Sequence, residues 1–204
     1  MHPNRAFHTA TDDENLAFAR ERGFGILAVC APDGPLMSHI PVLISEDGST
    51  AWLHLVRSNP IARLKDPEMA AKIAITGPDS YVSPDWYGVD DQVPTWNYVA
   101  VHVSGRLKRL PVDALRDVID RQSAHFEDRL APKPPWKTGK VTEDVLHRMM
   151  RMIIPFEMRI SRIEGTWKLN QNKTDEARLS AADRVEAQGM GADPAMLSAL
   201  MRGA

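Results

Sequence analysis

Apolar and polar residues alternate along much of this chain, as they do in β-strands that bury one face. The clearest case is residues 99–110, in which valines alternate with polar side chains. The pairs Asp33-Gly34 and Asp47-Gly48 have the turn chemistry that joins successive strands. The predicted strands cover residues 24–31, 35–44, 50–56, 70–76, 99–110 and 156–167.

Helices are predicted at both ends of the chain and between the strands. We expect Asp12 or Asp13 to cap a short first helix, and Asn59 to cap a helix that starts at Pro60 and ends near residues 65–67. Polar and aromatic residues between 77 and 92 predict a long loop. The other predicted helices cover residues 111–125, 142–153 and two segments after 174 that are split at 189–194.

This order of elements predicts a mainly β fold with peripheral helices, in the α+β class. The strand predicted at 35–44 is apolar on both faces, which favours a curved barrel strand with cover on its outer face. A length of 204 residues fits one domain with an appendage. We therefore expect a β domain at 1–173 and a helical extension at 174–204 that packs on the barrel or on a dimer partner.

Composition limits the partners and the compartment. The 25 basic and 27 acidic residues nearly balance, which argues against a general attraction to nucleic acid or to anionic membranes. No apolar stretch approaches the roughly 20 residues of a membrane span, and the N-terminus lacks a signal-peptide pattern. The single Cys30 cannot form an internal disulfide and is expected in the core. The chain is therefore expected to be soluble and cytoplasmic.

Several kinds of chemistry find no support. The seven histidines show no His-x-x-x-His spacing and there is no Cys-x-x-Cys pair, so no metal site is predicted. No Gly-x-Gly-x-x-Gly motif follows a strand, which argues against a built-in dinucleotide domain. The sequence places no acid or base beside a ligand, so no catalytic residue is assigned.

Two segments next to predicted strands carry binding chemistry. The cluster 93–98, with a proline, two aromatic residues and an amide before the strand 99–110, suggests a ligand wall. Arg57, Ser58 and Asn59 stand where a strand leads into a helix, and free N–H groups and a cation at such a junction favour a phosphate. The alternatives are core packing of Trp96 and an exposed arginine beside an ordinary N-cap.

Two further segments allow two interpretations. Pro41 has no N–H, so the strand ladder at Ser38–Pro41 is interrupted and can admit a ligand, or Pro41 is an ordinary edge-strand proline. Lys168 begins a polar run with three amide side chains that can reach a ligand, or the run is a solvated turn.

Five segments in the same order resemble a known family. The sequence closely resembles the PaiB-type FMN-binding proteins, which are described as negative transcriptional regulators on a pyridoxamine phosphate oxidase-like split barrel. It departs from the family's pattern at Ser38 and Asn170, where members often have Asn and Ser respectively. The five segments are 38–41, 54–60, 77–87, 93–98 and 165–172.

The resemblance implies a split β-barrel with a helical C-terminal tail and FMN as the cofactor. It also implies a homodimer in which FMN lies near the subunit interface, with contacts from either subunit. The cofactor-binding residues that it implies, together with the chemistry above, are His39, Ile40, Pro41, Arg57, Ser58, Asn59, Trp96, Asn97, Lys168 and Gln171.

Two main functions remain open at this point, beside a flavin store or interaction module that has neither activity. One is a flavin-dependent regulator or sensor that affects DNA directly or through another factor. The other is an FMN-dependent oxidoreductase that takes electrons from transiently bound NAD(P)H. The predicted last helix, residues 194–202, has one arginine and no amide side chain, which gives little support to direct DNA reading.

Overall fold

A computed structural model describes all 204 residues. The seven strands form one antiparallel sheet in the order β2-β1-β5-β6-β7-β4-β3. The strands are β1 Phe24–Ala31, β2 Gly34–Pro41, β3 Leu43–Ile44, β4 Thr50–Val56, β5 Glu68–Val82, β6 Thr95–Arg109 and β7 Ile153–Lys168. The helices are α1 Asp12–Arg22, α2 Pro60–Arg63, α3 Leu115–Glu127, α4 Glu143–Met150, α5 Asp175–Gln188 and α6 Pro194–Gly203.

The chain divides into two compact units. The first unit contains residues 1–15, 75–102 and 164–204, and the second contains residues 16–74 and 103–163. The long strands β5, β6 and β7 contribute residues to both units. The boundary at 173/174 that the sequence suggested stays a prediction.

In the second unit, β2 and β4 contact each other although four strands separate them in the sheet order. This contact curls the sheet into the split β-barrel that was predicted. Its interior is filled by alternate residues of the strands, and α3 contributes side chains from its apolar stripe. The buried residues include Leu27, Val29, Ile40, Leu53, Ile73, Leu107, Leu115, Val118, Phe156 and Met158.

In the first unit, α5 and α6 pack on each other. The segment between them pairs with the end of β5, because Asp79 N–H donates to the Ala192 carbonyl at 2.8 Å and Tyr81 N–H to the Met190 carbonyl at 3.2 Å. The core of this unit includes Phe7, Ile75, Val82, Tyr87, Val99, Val101, Ala181, Val185, Leu197 and Met201.

The structure corrects four sequence predictions. Residues 77–82 continue β5 and are not a loop, and the carbonyls of Met190 and Ala192 accept hydrogen bonds from the N–H groups of Tyr81 and Asp79. The predicted strand 35–44 breaks at Val42, whose N–H donates to the Gly23 carbonyl at 2.8 Å. Residues 95–98 of the cluster 93–98 lie inside β6, which begins four residues earlier than predicted. Cys30 is exposed, since it lies on the face of β1 opposite to the buried Leu27 and Val29.

The first helix also begins differently. Thr11 is its cap: Thr11 Oγ1 accepts a hydrogen bond from Glu14 N–H at 3.2 Å, and Glu14 Oε2 accepts one from Thr11 N–H at 2.7 Å. This is a capping box, which satisfies two main-chain donors reciprocally. Asp12 and Asp13 instead lie in the first turn, where negative charge is favourable. Among all the helices, none is both long enough and apolar enough to cross a bilayer.

Candidate functional site

In the second unit, the side chain of Asn59 ties the start of α2 to the edge strand β2. Asn59 has extended backbone angles, and its Oδ1 atom accepts a hydrogen bond from Ile61 N–H at 2.9 Å. Its Nδ2 atom donates to Ser38 Oγ at 3.0 Å. The predicted N-cap is therefore confirmed, and the same amide brings the segments of Ser38 and Asn59 together.

Arg57 lies at the exposed end of β4. Its N–H donates to the Met152 carbonyl at 2.8 Å, and its Nε donates to the Arg151 carbonyl at 2.9 Å. These bonds fix one edge of the guanidinium group against the chain that leads into β7. The two terminal nitrogens remain available as charge-assisted donors on an exposed side chain, and Ser58 beside them is exposed as well.

The helix at this junction is shorter than the sequence suggested. α2 has only four residues, its Ile61 N–H is bound by Asn59, and Pro60 has no N–H. A single turn sums few peptide dipoles, so little of the expected helix-terminus field is present. An anion at this junction would be held by the charge of Arg57 and the hydroxyl group of Ser58.

The three candidate residues of β2 differ in exposure. β2 is the last strand at one end of the sheet, so one side of its backbone has no strand neighbour. His39 is exposed, and its ring stacks on Phe24 with centroids 6.3 Å apart. Ile40 is 1% exposed, so its side chain belongs to the core and only its backbone can meet a ligand. Pro41 pairs with Phe24 and is half-buried.

In the first unit, Lys168 and Trp96 lie together at the start of β6. Lys168 Nζ donates to the Trp96 carbonyl at 2.8 Å and to Thr95 Oγ1. Trp96 is 47% exposed, and its ring meets Tyr81 edge to face with centroids 6.2 Å apart. Such an exposed, fixed indole can stack on a planar ligand, so the core-packing interpretation of Trp96 is wrong.

Asn97 and Gln171 are held within the first unit. Asn97 is fully buried, its Nδ2 donates to Met201 Sδ at 3.5 Å, and its Oδ1 atom has no partner. Gln171 Oε1 accepts from Leu169 N–H at 2.8 Å, and its Nε2 donates to the Trp167 carbonyl at 2.6 Å. Both ends of the Gln171 amide are thus used to shape the turn after β7.

Sequence reasoning missed a second cation near this turn. Lys173 Nζ donates to Gln92 Oε1 at 2.5 Å and lies 5.2 Å from the centroid of the Tyr87 ring. Tyr87 is buried, and its hydroxyl group donates to Asn170 Oδ1 at 3.3 Å. The available signal was a lysine at each end of the polar run 168–173.

Burial shifts the proton affinity of two groups in this area. It lowers the pKa of the Lys168 ammonium group, and the positive charge of Lys173 lowers that pKa further. Burial also raises the pKa of Tyr87, an effect that the hydrogen bond with Asn170 partly offsets. Lys168 is therefore easier to deprotonate than an exposed lysine.

Comparisons with known proteins identify what the chain is similar to. The sequence model of the family described as "Putative FMN-binding domain" matches residues 1–162. The chain is 23% identical over 188 residues to "Protease synthase and sporulation protein PAI 2" of Bacillus subtilis, covering 91% of this chain and 89% of that protein. It is 27% identical over 219 residues to an uncharacterized protein of Aspergillus fumigatus, covering 82% and 84%.

Solved structures show the same fold at low identity. A FAD and haem binding protein from Mycobacterium smegmatis matches with a TM-score of 0.57 at 15% identity, over 90% of this chain and 81% of that one. The flavocytochrome Anf3 from Azotobacter vinelandii matches with a TM-score of 0.56 at 9% identity, over 82% and 72%.

Proposed function

The chain belongs to the family described as "Putative FMN-binding domain", and from that premise we propose that it is a flavin-dependent regulator or sensor. FMN is its cofactor, and when bound it supplies reversible one-electron and two-electron transfer. The regulatory role draws on the resemblance to the PaiB-type regulators, and the Bacillus subtilis relative carries the name "Protease synthase and sporulation protein PAI 2". We also propose that the protein acts as a homodimer with FMN near the subunit interface.

The observation that carries FMN binding is the arrangement around Arg57. Its Nε is bound to a main-chain carbonyl, and its terminal nitrogens are exposed beside the hydroxyl group of Ser58. A cation with two parallel donors and a neighbouring hydroxyl group suits a phosphate. We assign the FMN phosphate to Arg57 and Ser58, with Asn59 holding the segment in place.

The remaining candidates have proposed roles that follow from their exposure. Trp96 offers a face for the flavin ring, and Lys168 positions Trp96 through its carbonyl. The backbone of Ile40 and Pro41, next to the exposed His39, can meet the polar edge of the flavin. Asn97 and Gln171 are assigned to support, because burial and main-chain hydrogen bonds occupy them.

The C-terminal helices argue against direct reading of DNA by this chain. Arg202 is the only basic residue of α6, and it donates to Asp183 Oδ1 at 2.9 Å and to Glu186 Oε2. A recognition helix needs several free basic or amide side chains. We therefore propose that the flavin state is passed to another factor.

Three measurements on one preparation test this function. Titration of the purified protein with FMN should quench flavin fluorescence to saturation, whereas absence of binding contradicts the whole proposal. The FMN-loaded protein should bind no member of a random DNA duplex library with affinity above the salt-dependent background. The FMN-loaded protein should also oxidise no more than a stoichiometric amount of NADH or NADPH. Sustained turnover would favour the alternative function, an FMN-dependent oxidoreductase.

A further inference from the structure

A cavity of about 400 Å³ lies in the second unit, between α3 and the segment 135–138. Its walls come from one side of α3, from the turn that follows α3 and from that segment. None of the residues assigned to FMN lines it. Small-molecule sites have volumes in this range and combine apolar walls with a few polar groups.

Hydrogen bonds hold the segment 135–138 against α3. Glu127 Oε2 accepts a hydrogen bond from Trp136 N–H at 2.7 Å. Thr138 is 5% exposed, and its hydroxyl group donates to Asp120 Oδ1 at 2.9 Å and accepts from Arg116 at 2.6 Å. The two walls are thus joined on either side of Lys137, so the cavity is formed before any ligand enters, which lowers the cost of binding.

The acidic side chains around the cavity differ in whether a cation compensates them. Arg116 Nε donates to Asp120 Oδ2 at 2.7 Å, and Lys133 pairs with Glu127. Asp128 also lines the cavity, but its exposed carboxylate has neither an ion pair nor a hydrogen bond. The negative charge that is available to a ligand is therefore that of Asp128.

The indole of Trp136 is the aromatic wall of the cavity. Trp136 is half-buried, and neither a second ring nor a cation contacts its indole. Another tryptophan beside α3 has such a partner, because the guanidinium carbon of Arg121 lies 4.2 Å from the centroid of the Trp52 ring. A cation over an indole face is stabilised by the quadrupole of the ring, and more strongly where water is excluded. A carboxylate and an indole that both lack a cation thus line one cavity.

We propose that this cavity binds a small organic ammonium ion, whose charged group contacts the Asp128 carboxylate and the Trp136 indole. Ala124 and Pro135 also line the cavity and offer apolar contacts to a carbon skeleton, which an inorganic cation would not use. The ammonium group of Lys137 has no partner and would repel a second positive charge, which favours a monoamine. The inference does not depend on the proposed function.

The test uses phenethylamine as the probe and FMN-saturated protein as the receptor, so that the flavin site is occupied. Calorimetry at neutral pH should show binding to the wild type. The dissociation constant should rise by about tenfold or more in the Asp128→Asn/Trp136→Leu double variant, because both contacts with the ammonium group are lost. Asp66→Asn is the matched control, since Asp66 is exposed in the second unit, does not line the cavity and should leave binding unchanged.

Two analogues and one further variant isolate the role of charge. 2-Phenylethanol replaces the ammonium group with a hydroxyl group, and phenylacetate replaces it with an anion, so both should bind more weakly than phenethylamine. Lys137→Gln should bind phenethylamine at least as tightly as the wild type, because the substitution removes a like charge near the ligand.

Three outcomes would overturn the proposal. They are no heat with phenethylamine, equal binding by the wild type and the double variant, and equal binding of phenethylamine and 2-phenylethanol. If the double variant does not fold, Asp128→Asn alone serves, because its carboxylate makes no contact within the fold, and its dissociation constant should rise by about fivefold. If FMN does not bind, the same comparison on the protein without FMN tests the cavity, so failure of the proposed function is a separate result.

Discussion

The amide of Asn59 caps α2 with its oxygen and donates to Ser38 Oγ at 3.0 Å with its nitrogen. One side chain thus joins a helix start to an edge strand 21 residues earlier in the chain. Arg57 and Ser58 immediately precede it, so their direction depends on this bond. The rigidity of the proposed phosphate site therefore depends on Asn59 as well as on the hydrogen bonds of Arg57 to the Met152 and Arg151 carbonyls.

Two substitutions of Asn59 distinguish the contributions of its two hydrogen bonds to stability. Asn59→Ala should lower the free energy of unfolding by about 0.5 to 2 kcal/mol, because the cap of α2 is lost. Asn59→Asp keeps the capping oxygen and should recover most of this loss, although it cannot donate to Ser38. Urea unfolding of the three proteins measures the difference, and equal stability of the Ala and Asp variants would show that the cap contributes nothing.

Arg57→Ala should weaken FMN binding by about 1.5 to 3 kcal/mol, the range for hydrogen bonds to charged groups. Fluorescence titration with FMN measures the change. Riboflavin, which lacks the phosphate, should bind wild type and variant equally. Arg63→Ala is the control, since Arg63 is exposed in the last turn of α2, and an unchanged FMN affinity in Arg57→Ala would remove Arg57 from the site.

Gly105 of β6 is required by close packing. A Cβ atom there would lie 2.1 Å from the Arg159 carbonyl oxygen, a main-chain atom that cannot move freely. Gly105→Ala should therefore lower the free energy of unfolding by on the order of 1 to 3 kcal/mol. Gly139→Ala is the matched control, because nothing lies within 4 Å of its added Cβ. Thermal melts that show equal loss in both variants would contradict the packing argument.

His54 should make stability depend on pH. Burial lowers the pKa of His54 from its usual 6.5, and the hydrogen bond with Gln122 only partly offsets this. The unfolded chain then binds the proton more readily than the folded one, so the stabilising contribution is present above about pH 6.5. It is lost as the pH falls through 6.5 towards the lowered pKa.

The difference between wild type and His54→Gln isolates this contribution from the other histidines. The urea midpoint of the wild type should fall more than that of the variant between about pH 8 and pH 5. Parallel curves for the two proteins would mean that His54 titrates alike in the folded and unfolded chains.

Much of the fold could be predicted because its signals are local. β1 and β4 begin and end at the predicted residues, since alternation and Asp-Gly turns are properties of short segments. The Asn59 cap and the two C-terminal helices are confirmed for the same reason. The FMN-binding family was also evident from five short segments in a fixed order.

Other features depended on contacts between distant residues. The end of β5 is supported by residues 190–192, which accept hydrogen bonds from the N–H groups of Asp79 and Tyr81, and no pattern near Asp79 predicts that pairing. The exposure of Cys30 could not be predicted from an apolar run, because the outer face of β1 is apolar too. The same limit applies to the candidate site, because the sequence gives its residue types but not the contacts between them.

The sequence by itself determined which segments become strands, where α2 is capped and which family the chain belongs to, because these follow from neighbouring residues. Only the tertiary structure decided that Lys168 binds the Trp96 carbonyl, that Lys173 lies over Tyr87 and that Asn97 is buried. Those positions depend on how segments far apart in the chain satisfy each other's polar groups.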